Sequence, residues 1–224
     1  MPNEKKPRPG RGRPPLDAHE RRRILDGISA VFLEKGYERA STTEFARRAR
    51  TSKQTLYGMF PSKADMFLAV MSRHTDQLFA EHHLHIASPE PIKTVLTQMG
   101  EKILRMFTAP EFLALYRIVV AEAPRFPELA QRLWISCADH GHSLLAELLR
   151  SRAVGGPDYR KSGIQFVTFI LGDVILNSML NPQAQLTESA IQAHVQEAVD
   201  DFLTLHTVSP SRKKELQYDG DLCR

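Results

Sequence analysis

The sequence predicts an all-α protein of about nine helices, and three observations support this fold class. Apolar residues recur at helical spacing along most of the chain. Ser, Thr or Asp residues that can cap a helix precede several of these stretches, and Pro and Gly residues fall between them. No stretch shows the sustained apolar and polar alternation that is typical of β-strands.

Four helix starts are predicted close together, near the N-terminus. The first helix is predicted to begin with an Asp17–Glu20 capping box and to end at Gly36, and the second to begin with a Ser41–Glu44 box and to end near Arg48. Thr51 or Ser52 is predicted to cap the third helix, over residues 53–59. Ser62 and Asp65 are predicted to start the fourth, which runs to about His83. Further helices are predicted near residues 90–107, 111–123, 127–152, 159–180 and 187–206.

The two ends of the chain have a different composition. The first 15 residues hold five Lys or Arg and five Pro, so we expect residues 1–16 to be a disordered basic arm. The polar segment 208–224 is expected to be a disordered tail.

Charge is distributed unevenly along the chain. Residues 1–63 hold 15 Lys or Arg against 7 Asp or Glu, a net of +8, whereas residues 64–224 hold 15 against 19, a net of −4. This asymmetry favours contact between the N-terminal part and a polyanion, because neutralising phosphates drives nucleic-acid binding. On charge alone, a solvated charged surface is an equal alternative.

The segment TSKQTLYGMFPSK, residues 51–63, indicates a helix-turn-helix. Two short helices are joined by a turn of a few residues, and the outward face of the second carries Lys53, Gln54 and Thr55. Leu56 and Phe60 suffice to anchor it inward. The outward face is then available for the major groove of DNA.

The segment GYERASTTEFARRARTSKQTLYGMFPSKADMFLAV resembles the DNA-binding region of the tetracycline-repressor (TetR) family. The second segment VVAEAPRFPELAQRLW, residues 119–134, is similar to the C-terminal domain of one subgroup of such regulators. The resemblance implies a homodimeric transcriptional regulator, by default a repressor, with a DNA-binding domain over 17–62. It also implies an effector-binding and dimerisation domain over 63–207, with the dimer formed by the last two helices.

This chain departs from the family pattern at two places. The family usually has Gly-Val in the turn, where this chain has Arg50 and Thr51; a non-Gly residue in a left-handed turn costs about 1 kcal/mol. In the family, the Tyr of the recognition helix is often followed by bulky or polar ring residues. In this chain it is followed by Gly58 and Met59. Contacts made there by relatives are not expected here.

The resemblance and side-chain chemistry together predict the DNA contacts. Thr42 and Thr43, which open the second helix, are expected with Lys53, Tyr57 and Lys63 to contact the DNA backbone. The base-reading residues are expected to be Gln54, whose amide can pair with adenine, and Thr55, whose methyl can meet that of thymine. The arm segment GRGRPP is similar to an AT-hook that enters narrow minor grooves, and a solubilising tail is an equal alternative.

An effector cavity is expected in the C-terminal domain, where aromatic and Met side chains recur at helical spacing. The predicted lining residues are Met99, Ile103, Phe107, Phe112, Tyr116, Trp134, Cys137, Phe166 and Phe169. For any single one of them, an ordinary core position is the more common alternative, by about two to one.

Histidines provide the alternative function, a metal-dependent hydrolase. The two clusters are His82, His83 and His85, and His140 with His142. Neither forms a HExxH or CxxC motif, so we expect no enzyme activity, cofactor or metal. We expect no apolar run to be long enough to cross a bilayer, and we expect the two cysteines to be free thiols. Both expectations predict a cytoplasmic protein.

Overall fold

The computed structural model describes residues 17–80, 86–183 and 185–207, except the side chains of 77–80 and 137. These residues form ten α-helices and one π-helical segment, with no strand among them. The helices are α1 (Ala18–Arg39), α2 (Thr42–Arg48), α3 (Lys53–Met59), α4 (Lys63–Ala80), α5 (Ile92–Thr108), α6 (Pro110–Glu122), α7 (Pro127–Leu133), α8 (His140–Ser151), α9 (Tyr159–Leu180) and α10 (Glu188–Thr207). The all-α prediction is confirmed.

The predicted helix 127–152 is continuous but not uniform. The π-helical segment Trp134–Asp139 separates α7 from α8, which accounts for ten helices where the sequence predicts about nine. The expected arm 1–16, the tail 208–224 and the end of the fourth helix near His83 lie outside the described residues.

The predicted helix starts correspond to specific caps. Ser41 and Glu44 form a reciprocal capping box at α2, and Ser52, rather than Thr51, caps α3 by accepting from the Thr55 amide. At α1 the Asp17 carboxylate accepts from the His19 amide instead of forming the expected box with Glu20. Gly36 has a φ of 72°, so the backbone leaves the helical conformation at the predicted stop.

Buried side chains form two hydrophobic clusters. The first joins α1–α4 to α6 and α7 and centres on Phe32, whose ring lies 4.8 Å from those of Phe45 and Phe67. The second joins α5, α8, α9 and α10. Because α6 and α7 pack into the cluster of the helix-turn-helix, the predicted boundary at residue 62 does not separate the two clusters.

Helix α9 is broken at Gly172, which has a φ of 32°. The break leaves the Ile170 carbonyl to be bonded by the His194 ring of α10, at 2.9 Å. The sequence does not reveal this break, because an isolated Gly within a helical pattern is usually tolerated.

The composition of α9 corrects the expectation that no run could span a bilayer. Its 22 residues are long and apolar enough to cross a bilayer. Over its most apolar 18-residue window the mean hydropathy is 1.6, and 22% of that window is buried. One such helix is weak evidence for a membrane span. Its apolar residues serve three faces instead: a core face with Phe166 and Ile170, a cavity face, and an exposed face described below.

Candidate DNA-binding surface and effector cavity

The turn of the helix-turn-helix has a left-handed residue at the position where the sequence departs from the family pattern. Arg50 has a φ of 47°. The amide of Thr51 donates to the Ala46 carbonyl at 2.9 Å, and Ala49 is fully buried. The Arg50 and Thr51 pair therefore forms the tight turn, with the conformational strain expected of a non-Gly residue.

The recognition helix α3 is anchored by one face and open on the other. Leu56 is completely buried, and Phe60, which follows the helix, is 3% exposed. Lys53 and Gln54 are exposed, and Tyr57 is 51% exposed although it has a large aromatic ring. The face predicted to meet DNA is therefore accessible.

Two polar contacts organise the residues predicted to meet DNA. The Tyr57 and Thr42 hydroxyls are 2.9 Å apart and join α3 to the start of α2. The Thr55 hydroxyl lies 2.9 Å from that of Ser52, the cap of its own helix. Thr43 is exposed on the first turn of α2. The sequence did not indicate the Thr42–Tyr57 contact, because the two residues are 15 positions apart.

Lys63 is placed differently from a free surface cation. Its ammonium donates to the carbonyls of Tyr37, Glu38 and Ala40, at 2.9, 3.1 and 3.2 Å, and lies 4.7 Å from the centre of the Tyr37 ring. Burial lowers the pKa of Lys63, and the charges of Glu122 and Glu38 act in the opposite direction. An ammonium has three donors, so a phosphate contact would have to replace one of these carbonyls.

The C-terminal part contains a cavity of about 560 Å³ bounded by α4–α9 and the π-helical segment. Six of the predicted residues line it: Met99, Ile103, Phe107, Phe112, Tyr116 and Trp134. Sequence reasoning missed the other lining residues, namely Met71, Thr75, Met106, Val119, Val120, Ala123, Ala130, Leu133, Ala138, Gly141, His142, Leu144, Leu145, Ile164, Val167, Thr168, Leu171, Gly172 and Ile175.

Two of the predicted lining residues do not face the cavity. Phe166 is fully buried in the second cluster, with its ring 5.2 Å from that of Phe202, and Phe169 is 36% exposed. The cavity face of α9 instead runs through residues at i, i+3, i+4, i+7 and beyond, from Ile164 to Ile175. A stretch that is apolar all round gives no periodic signal for which face is which. The side chain of Cys137 lies outside the described residues.

His142 and Trp134 form one side of the cavity. The two rings are 6.2 Å apart in an edge-to-face arrangement, with His142 8% exposed and Trp134 63% exposed. Burial lowers the pKa of His142, the charge of Arg160 lowers it further, and Asp139 opposes both. The two larger effects favour the neutral form of the imidazole.

Metal ligands do not come together in the described part of the chain. Among its residues there is no group of three or more His, Cys, Asp or Glu arranged to hold a metal ion. The predicted cluster of His82, His83 and His85 lies outside the described residues. His142 lines the cavity, whereas the neighbouring His140 is exposed.

A hydrogen bond and an ion pair connect α1 and α4 to α6, which forms one wall of the cavity. Glu111 of α6 accepts from Ser29 of α1 at 2.7 Å and from Arg73 of α4 at 3.0 Å, and Arg73 also pairs with Asp26. Glu111 immediately precedes Phe112, a cavity residue. A displacement of α6 by a bound molecule would therefore act directly on α1 and α4.

A short helix pair with an accessible recognition helix, joined to an all-helical domain, defines a helix-turn-helix DNA-binding regulator. Residues 24–70 match the profile described as bacterial regulatory proteins, tetR family. Residues 94–207, half of the chain, match the profile described as the AefR-like transcriptional repressor C-terminal domain. The chain therefore belongs to the TetR family of transcriptional regulators.

Individual relatives agree with this assignment. An uncharacterized HTH-type transcriptional regulator of Mycobacterium bovis is 28% identical over 79% of this chain and 84% of its own length. The HTH-type transcriptional activator FasR of Mycolicibacterium smegmatis is 45% identical, but over only 28% of this chain and 29% of its own.

Solved structures share the fold. A TetR-family regulator from Mesorhizobium loti has a TM-score of 0.72 at 23% identity, covering 84% of this chain and 97% of its own. The Flavonoid-responsive Regulator FrrA has a TM-score of 0.64 at 25% identity, with the same coverage.

Proposed function

We propose that this protein is a cytoplasmic, dimeric repressor that binds a palindromic operator and releases it when a small molecule enters the cavity. The observation that carries the proposal is the position of α4. Met66, Phe67 and Val70 of this helix are buried in the cluster that holds the recognition helix. Met71 and Thr75 of the same helix line the cavity.

The mechanism follows from that position. Two recognition helices must sit about one DNA turn, roughly 34–36 Å, apart to enter successive major grooves. A ligand that displaces Met71 or Phe112 tilts α4 directly or through the Glu111–Arg73 pair. The tilt changes the separation of the recognition helices, so the dimer no longer fits the operator.

The exposed face of α9 supports the dimer. Phe169, Leu176 and Leu180 are 36%, 60% and 71% exposed. Leu176 and Leu180 lie four residues apart on one stripe of α9 after the break at Gly172, and Phe169 is exposed before the break. An apolar stripe of this kind on the surface is typical of a protein interface, in agreement with the family expectation that the last two helices form it.

The DNA contacts are proposed residue by residue. Gln54 reads base edges, with Thr55 contributing its methyl group because its hydroxyl is bonded to Ser52. Thr42, Thr43, Lys53 and Tyr57 contact the backbone.

Lys63 is proposed to have a different primary role from these residues. Its ammonium braces α4 against the end of α1 through the three carbonyls described above. Its predicted phosphate contact is tested in the Discussion.

Relatives bear on the sign of regulation and on the effector. The matching C-terminal profile is described as that of a repressor, whereas FasR is named an activator. FrrA, of similar structure, is described as flavonoid-responsive. Repression and control by a small molecule are therefore the functions that we propose for this chain.

Selection of bound sequences from random DNA by the purified dimer tests the DNA-binding part. We expect a palindromic consensus for the unaltered protein. Gln54→Ala should relax the preference at one or two positions per half-site, whereas Tyr57→Phe should weaken binding by about 1 kcal/mol without altering the consensus. A consensus changed by Tyr57→Phe but not by Gln54→Ala would contradict the assignment of base and backbone contacts.

A further inference from the structure

The part of the cavity lining that the structure describes has no fixed charge. None of the 25 described residues that line it is Asp, Glu, Lys or Arg. The polar groups are few: Thr75, Tyr116, His142, Thr168 and the indole N–H of Trp134. A ligand inside would therefore meet mainly apolar side chains.

Two of these polar groups are already used within their own helices. The Thr75 hydroxyl donates to the Ser72 carbonyl and the Thr168 hydroxyl to the Ile164 carbonyl, both at 2.9 Å. Within the described chain, no side-chain hydrogen bond engages Tyr116 or His142. A ligand can thus exchange hydrogen bonds with the Tyr116 phenol and with the His142 imidazole, whose neutral form is favoured by burial.

The cation that acts on His142 does not change this conclusion. Arg160 is close enough to lower the pKa of His142, but it is ion-paired with Asp139 and is not part of the lining. A buried carboxylate or ammonium without a partner costs far more than a buried neutral group. Charged ligands are therefore disfavoured.

The apolar walls suit aromatic rings. The Phe107 and Phe112 rings are 4.9 Å apart edge to face, and Tyr116 stacks at 6.0 Å from Phe112. Three methionines, Met71, Met99 and Met106, also line the cavity. Thioethers make favourable contacts with aromatic rings and adapt to irregular shapes.

We infer that the effector is an uncharged aromatic compound with one or two hydrogen-bonding groups, and that carboxylates and ammonium ions of the same skeleton are excluded. This inference deepens the proposed function and rests on it only for the effect on DNA. Pocket size agrees, since cavities of a few hundred Å³ hold drug-sized molecules.

The test uses matched probes on the full-length dimer at pH 7.5. N-phenyl-1-naphthylamine, a neutral fluorescent aromatic compound, reports binding by its own emission. It also quenches Trp134, the one tryptophan of the sequence, which lines the cavity. The displacing compounds share one skeleton: 4-phenylphenol is neutral, biphenyl-4-carboxylate is an anion and 4-phenylbenzylammonium is a cation.

We expect 4-phenylphenol to displace the probe at a concentration at least about tenfold lower than either ion. Ala138→Phe adds a ring to the cavity wall and should weaken probe binding, whereas the matched change Ala18→Phe, on the exposed start of α1, should not. Thr168→Lys places a cation at the exposed rim of the cavity and should raise the relative affinity of the carboxylate at least about tenfold.

Several results would overturn the inference. These are failure of the probe to bind, equal or better displacement by an ion, or probe binding that is insensitive to Ala138→Phe in a variant that still binds operator. A different result separates the inference from the proposed function. If 4-phenylphenol binds with the expected preference and leaves operator affinity unchanged, the ligand class stands and ligand-controlled release of DNA is wrong.

Discussion

Replacing Lys63 distinguishes a structural brace from a phosphate contact. Lys63→Met keeps the length and the helix-forming character of the side chain but removes the ammonium that bonds Tyr37, Glu38 and Ala40. A hydrogen bond from a charged donor contributes about 1.5–3 kcal/mol, and a cation over an aromatic ring about 0.5–1 kcal/mol.

These contributions do not add in full. One ammonium serves all three carbonyls, and the burial that lowers the pKa of Lys63 offsets part of the gain. We therefore expect Lys63→Met to lower the free energy of unfolding by about 2 kcal/mol. The salt dependence of operator binding should change little, because the ammonium is not free to displace a counterion.

Lys53→Met is the matched control. Lys53 is exposed at the first residue of α3, so its replacement should change the free energy of unfolding by less than about 0.5 kcal/mol. It should weaken operator binding and reduce the slope of log affinity against log salt by about one.

Urea unfolding at a fixed protein concentration and operator titrations at several salt concentrations measure both quantities. Unchanged stability of Lys63→Met, together with a slope reduced by about one, would refute the brace and establish the phosphate contact.

Three further predictions follow from single residues. Arg50→Gly should raise the free energy of unfolding by up to about 1 kcal/mol, because Arg50 has a φ of 47°; a loss of stability in urea would contradict the strain. Glu111→Gln should leave binding of 4-phenylphenol unchanged but reduce the ratio of its affinities for free and operator-bound dimer, because the pair with Arg73 weakens. An unaltered ratio by calorimetry would exclude this path. Arg117→Met should raise the dissociation constant of the dimer several-fold in ultracentrifugation. The reason is that Arg117 donates to the carbonyls of Ser178 and Met179 at the end of α9, beside exposed Leu180. An unchanged dissociation constant would show that this contact does not support the interface.

The cavity shows where sequence reasoning reached its limit. The predicted residues Met99, Ile103 and Phe107 line the cavity, because one amphipathic stripe of α5 faces inward. On α9 the predicted residues Phe166 and Phe169 do not line the cavity, whereas Val167 and Leu171 do. That helix is apolar on faces that meet the core, the cavity and the surface, so composition alone does not distinguish them.

The sequence by itself determined most of the helices, the capping box of α2 and the helix-turn-helix, because these depend on residues within a few positions of one another. The Ser41–Glu44 capping box and the helix stop at Gly36 are examples. Only the tertiary structure decided the position of Lys63, whose partners lie 23 to 26 residues away. It also decided the uncharged cavity, because a cavity is the space left between helices whose packing no local pattern specifies.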